Sequence, residues 1–228
     1  MDALLVCRPR RTPALTLALV LVTLAIGALT PRPAAATGSA GCDSAGSRTV
    51  YGTSLGRVFT KRRTTSGQPR AYVAHYSCAR RYGRRFLLAE SDFAGEDEYG
   101  PFRFAGPFLA YAFFASCAAC EERQGAIMVQ SLRTGRHLHR AEAIEPLDTG
   151  DEVVTDLVVK RNGSVAWIAI HEDPPSAGGT RTVEVNGQGT AGRVRLDAGP
   201  DVAPRSLTLS GATVSWSKGG RRASATLR

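Results

Sequence analysis

The chain has 228 residues, 43% hydrophobic and 21% charged, which excludes a disordered polymer and leaves room for one or two ordinary cores. Its formal charge of +9 is carried almost wholly by arginine, since Lys61, Lys160 and Lys218 are the only lysines. The basic residues are scattered through turns and alternate positions, with no helical basic stripe or aromatic stacking motif, so nucleic-acid binding is not expected.

Residues 1–36 read as a secretory signal: Arg8, Arg10 and Arg11, then the apolar run Ala14–Thr30, then Ala34-x-Ala36 as a cleavage site. A signal helix that is removed on export is the expectation. Because the apolar run reaches the lower edge of a bilayer span, a retained anchor over residues 14–30 is the alternative. Membrane contact is expected only through this segment, and the mature protein is expected to be secreted or held in the cell envelope. Thr12-Pro13 after Arg10-Arg11 argues against twin-arginine export, and Ser39 stands where lipidation of Cys42 would want leucine. Without residues 1–36 the charge falls to about +6. Residues 37–48 form a Gly/Ser-rich flexible segment, and residues 49–228 a β domain built from repeats.

Two phrases recur through that domain. The first is an apolar residue, a small one and a ring: Val73-Ala74-His75, Leu109-Ala110-Tyr111, Val165-Ala166-Trp167 and Val214-Ser215-Trp216. The second is Gly-Arg leading into a strand, at Gly83-Arg84, Gly135-Arg136, Gly192-Arg193 and Gly220-Arg221. Asn162-Gly163 is a hairpin signal, because both residues tolerate positive φ. "TVEVN" and "RVRLD" alternate as strands with one wet face, whereas "VAWIAI" is apolar on both faces. No mature segment has the period of an amphipathic helix. The spacing predicts an all-β chain of four copies, the middle two four-stranded and the outer two three-stranded. Tyr111, Trp167 and Trp216 are expected to pack between neighbouring copies.

Four cysteines remain after export, and an even number reads as disulfides. Of three connectivities, Cys42–Cys78 and Cys117–Cys120 fit best. A redox pair at Cys117-x-x-Cys120 is disfavoured by Glu121 and Glu122 beside it, and a four-cysteine zinc site would need two distant cysteines to converge on the pair. His137 and His139 share a strand face but read as polar residues of an outer strand, and no metal or cofactor is expected. The acidic run Glu90–Glu98 lacks the order of a calcium loop. With "HEDPPSAGGTR" (His171–Arg181) it reads as an exposed connection where partners would be met. No nucleophile elbow, zincin helix, phosphate loop or dinucleotide fingerprint occurs, so no catalytic residue is assigned.

"NGSVAWIAI…TVEVNGQG…GRVRLDAG" resembles blades of the TolB-like and WD40-like β-propellers of exported bacterial proteins, over roughly residues 50–228. The Trp-Asp dipeptide of WD40 repeats is missing. The resemblance implies an antiparallel, propeller-like array of about four short blades, closed or open, and a habit of binding. The expectation is an exported, non-catalytic binding or structural module of the cell envelope, its partner an unknown protein or envelope glycan. The alternatives are an extracellular enzyme acting on polysaccharide, or a shortened fragment of a longer repeat protein.

Overall fold

The computed structural model describes residues 42–64, 72–91, 98–116, 123–144, 151–173 and 178–228, in which every regular element is a β-strand. The expected signal segment and the Cys117/Cys120 pair lie outside the described residues, as do Asp92, Glu96 and Asp97 of the acidic run. The strands form four antiparallel meanders in chain order. The first sheet is β1 (Ser47–Gly52), β2 (Gly56–Arg63), β3 (Tyr72–Ala79) and β4 (Arg84–Ser91). The second is β5 (Glu98–Ala105), β6 (Phe108–Ser116), β7 (Arg123–Ser131) and β8 (His137–Glu142). The third is β9 (Asp151–Val159), β10 (Val165–Glu172), β11 (Arg181–Gly189) and β12 (Gly192–Ala198). The fourth has three strands, β13 (Thr208–Ser210), β14 (Thr213–Lys218) and β15 (Arg221–Thr226). One parallel pairing, Arg123 with Asp151, ties the second sheet to the third.

The Gly-Arg phrase stands at the entry to the last strand of every sheet. Its glycine has positive φ each time (59°, 79°, 102° and 75° at Gly83, Gly135, Gly192 and Gly220), a conformation in which a side chain would be strained. Gly135 also lies against the Phe86 ring of the first sheet, so the turn of one sheet is fitted to its neighbour.

The ring phrase falls on the second strand in three sheets. Tyr111 pairs with Phe102 of β5, Trp167 pairs with Leu157 of β9, and Trp216 lies in the corresponding part of β14. The first sheet differs from the sequence expectation. It has four strands instead of three, and His75 lies on β3; the position equivalent to the three rings is Phe59 on β2. The phrase is obscured there because Arg57 occupies the place of Leu109, Val165 and Val214.

All three rings face the sheet before their own. Tyr111 packs in a cluster with Val58 and Ala79 of the first sheet. Trp167 packs with Ile127, Val129 and Ala143 of the second, and Trp216 with Ile168 and Val185 of the third. Among the described residues no sheet precedes that of Phe59. It is covered instead by Tyr76 (centroids 5.4 Å apart), by the Arg57 guanidinium 4.5 Å from its centroid, and by Cys42, which is bonded to Cys78 on β3. Asp43 (3.4 Å) and Ser47 Oγ (2.7 Å) hold Arg57 in that position, so the tethered entry segment covers the ring as a preceding sheet does elsewhere.

The middle residue of the phrase points the other way, toward the following sheet. It is Val58, Ala110 and Ala166 in the first three sheets, all fully buried, and Ser215 in the fourth, after which no sheet follows among the described residues. Polar residues thus appear at the two terminal faces and nowhere else in this pattern.

Polar bonds lock the seams. Ser77 Oγ donates to Gln130 Oε1 at 2.7 Å between the first two sheets, with both side chains buried. Trp167 Nε1 donates to the Ala143 carbonyl at 2.6 Å, and Trp216 Nε1 donates to Asp197 Oδ2 at 2.8 Å. Asp156 on β9 joins three sheets, accepting from Arg103 (3.4 Å) with one oxygen and from the Leu207 amide (3.0 Å) with the other. At the end of the chain Ser164 Oγ donates to the Arg228 carbonyl and Lys160 Nζ to that of Leu227, both at 2.7 Å.

Candidate binding groove

The residues singled out for chemistry are distributed over several sheets. His137 and His139 lie on β8, and His137 Nε2 shares a hydrogen bond with the Tyr111 hydroxyl at 3.3 Å. Burial, then the charge of Arg140, holds His137 below the ordinary imidazole range, and burial lowers His139. Burial also raises the Tyr111 phenol. No group of three His, Cys, Asp or Glu side chains suited to a metal occurs among the described residues.

His171 was expected at the start of an exposed connection. The structure instead continues β10 to Glu172 and starts β11 at Arg181, so the connection is shorter and His171 is 1% exposed. Its Nε2–H donates to Asp173 Oδ1 at 2.9 Å, and the Thr180 hydroxyl bonds the other Asp173 oxygen. This fixes the ring against β9, where it pairs across the strands with Glu152. Glu152 Oε2 accepts the Gly125 amide at 2.9 Å. Burial raises its carboxyl, opposed by that hydrogen bond and by the charges of His171 and Arg193, and supported by Glu142. Nearby, Glu184 is buried and ion-paired to Arg193 (3.4 Å) and Arg195 (3.0 Å), with Asn186 donating to it at 3.1 Å. These acids satisfy partners within the seam between the second and third sheets. A buried charge in this setting persists only when paired, and the arrangement reads as structural.

A different surface is open to a ligand. The period-two alternation of the last three strands separates two chemistries. Leu209, Val214, Trp216, Ala223 and Ala225 face the third sheet. The register puts Thr208 opposite Ser215, and Ser210 opposite Thr213. Across β15, Thr226 lies opposite Thr213, Ser224 opposite Ser215, and Arg222 opposite Ser217. Cross-strand partners share a face, so the outer face of the fourth sheet is a lattice of hydroxyls with a single guanidinium. Its rows are about 4.8 Å apart, as in any sheet.

Over this lattice lies a groove of about 500 Å³, lined among others by Ser206, Thr208, Ser215, Ser217, Arg221 and Arg222. Arg222 Nη2 donates to Ser215 Oγ at 3.1 Å, which lays the guanidinium across the hydroxyls. Ser206 Oγ accepts the Ser217 amide at 3.0 Å and closes one end. At the inner side Asp197 accepts from Lys218 at 2.6 Å and from Trp216. Burial raises this carboxyl, but those hydrogen bonds, that of the Ala198 amide and the Lys218 charge outweigh it and hold it below its ordinary value. A second groove of about 520 Å³ runs past Lys160, Arg161, Asn162 and Gly211, at turns of the third and fourth sheets. The lining of both grooves is mainly hydroxyl, amide, cation and aliphatic, with Trp216 the one ring bordering the first.

Sequence reasoning read β13–β15 for their repeat and passed over the groove. Its signal was the alternation itself, "LTLS", "TVSWS" and "RASAT", in which every second residue is Ser, Thr or Arg. The Cys42–Cys78 bond is consistent with an oxidising, extracellular environment. The chain matches no protein-family model and no curated protein.

Proposed function

We propose that the four sheets are blades of an open, propeller-like array, and that the protein is an exported, non-catalytic binding module of the cell envelope. The observation that carries this reading is the polar replacement at the two terminal faces. Arg57 and Ser215 stand where the inner sheets use Leu, Val or Ala, and repeat arrays need such caps when their ends meet solvent. Arg57 and Ser215 are themselves covered by neighbouring side chains. Arg85 on the first sheet and Thr208, Thr213, Arg222 and Ser224 on the fourth are exposed, and a ring closed by packing the fourth sheet on the first would bury these. The capped end leaves a broad hydroxyl face with a groove on it, and that face is where a partner is met.

The groove linings favour binding over turnover, since hydroxyls and guanidinium groups position a ligand, whereas hydrolysis of a glycan wants a pair of carboxyl groups flanking the bond. Incubating the exported protein with insoluble envelope glycan tests the proposal. Saturable co-sedimentation without release of reducing ends is expected. Steady release of reducing ends would overturn it in favour of the polysaccharide-degrading alternative.

A further inference from the structure

The geometry points to the groove on the outer face of the fourth sheet as a site for a uronic-acid-bearing polysaccharide, an assignment that rests on the binding-module reading above. The chemistry of the face selects this class. A Ser or Thr hydroxyl both donates and accepts, as a sugar hydroxyl does, so a lattice of them meets a polyhydroxylated chain without leaving either side unpaired. Arg222 brings planar donors suited to a carboxylate, with one of its five N–H groups engaged by Ser215. Arg221 adds a second cation at the rim, and no carboxylate belongs to the lattice or to the groove lining.

Other occupants fit less well. A protein partner would want exposed apolar or aromatic anchors, and Leu209 and Trp216, though they border the groove, are packed in the cluster against the third sheet. A second copy of the chain would bring its own capped first sheet, whose outer face carries Arg57, Lys61 and Arg85, and like charges would meet. A polyphosphate has no hydroxyls along its chain to meet the Ser and Thr rows, whereas every residue of a polyuronate offers hydroxyls together with a carboxylate.

Electrophoresis of the full protein through gels containing polygalacturonate, neutral dextran or polyphosphate tests the inference. Polygalacturonate should retard the protein, and the effect should fade as salt rises. Arg222→Gln should weaken it about tenfold, the value of a charge-assisted hydrogen bond. Thr208→Val, which keeps the shape and deletes one exposed hydroxyl, should weaken it less, and both variants should melt with the parent. Equal retardation by dextran or by polyphosphate would overturn the inference, as would an Arg222→Gln variant that binds like the parent. Failure here leaves co-sedimentation with another envelope glycan intact, so the ligand class and the module reading fall separately.

Discussion

Replacing Trp167 by alanine tests whether the sheets are held by rings inserted into their predecessors. The side chain is fully buried between the second and third sheets, with Leu157 across the strand and Ile127, Val129 and Ala143 beyond. Truncation of a fully buried Trp costs about 3–5 kcal/mol through lost transfer energy and the cavity left behind. The indole N–H bond to the Ala143 carbonyl disappears as well. Asn186 Nδ2, already 3.4 Å from that oxygen, keeps it partly satisfied, so this part stays near the low end of about 1–3 kcal/mol. At roughly 2–4 °C per kcal/mol for a chain of this size, the melting temperature should fall by about 8–24 °C. Trp167→Phe, which keeps a ring but loses the donor, should lose a third to a half of that. Circular dichroism melts of the three proteins under one buffer decide it. A Trp167→Ala protein melting within about 2 °C of the parent would mean that the seam does not depend on its ring, and the account of sheet packing would fail.

The remaining predictions concern the cap, one seam turn and one acid. The Cys42→Ser/Cys78→Ser variant should lose about 3–4 kcal/mol in urea unfolding, the chain-entropy value for a loop of this length. Gly135→Ala combines a positive φ with a methyl pushed into Phe86 and should cost about 2–4 kcal/mol, whereas Gly211→Ala, with open space around it, should cost about 1 kcal/mol. Burial raises the Glu152 carboxyl, so its contribution favours the folded state at low pH and is lost as pH rises through the folded value. Glu152→Gln, which can still accept the Gly125 amide, should therefore gain melting temperature over the parent between about pH 4 and pH 7 and match it below that; a gain that is equal at all pH values would refute the cause given.

The sequence disclosed the sheets through their turns more reliably than through their rings. Gly-Arg marks the last strand of all four sheets because backbone geometry demands glycine there wherever the sheet sits in the array. The ring phrase depends on neighbours, and it reads clearly only where neighbours exist on the expected side. In the first sheet Arg57 replaces the leading apolar residue, so the phrase is unrecognisable at Phe59 and attention shifts to Val73-Ala74-His75, a strand too late. The burial of His171 was hidden for another reason. The prolines after it look like a loop, while its cross-strand partner Glu152 is nineteen positions away and has no local signature. The groove was legible in principle, since its face is set by alternation alone, but polar alternation at a sheet surface carries no mark that separates a ligand face from a wetted one.

Because each ring enters a receptor made by the strands before it, assembly has a direction. As the chain emerges, the first sheet can complete its own cover and offer Val58 and Ala79 to Tyr111 before the later strands exist. Every subsequent meander then finds its docking partner already built. Loss of the last meander would strip one seam and leave the earlier ones whole, whereas loss of the first would leave Tyr111 without its socket. Growth or trimming of such a protein over evolutionary time is accordingly cheapest at its carboxyl end.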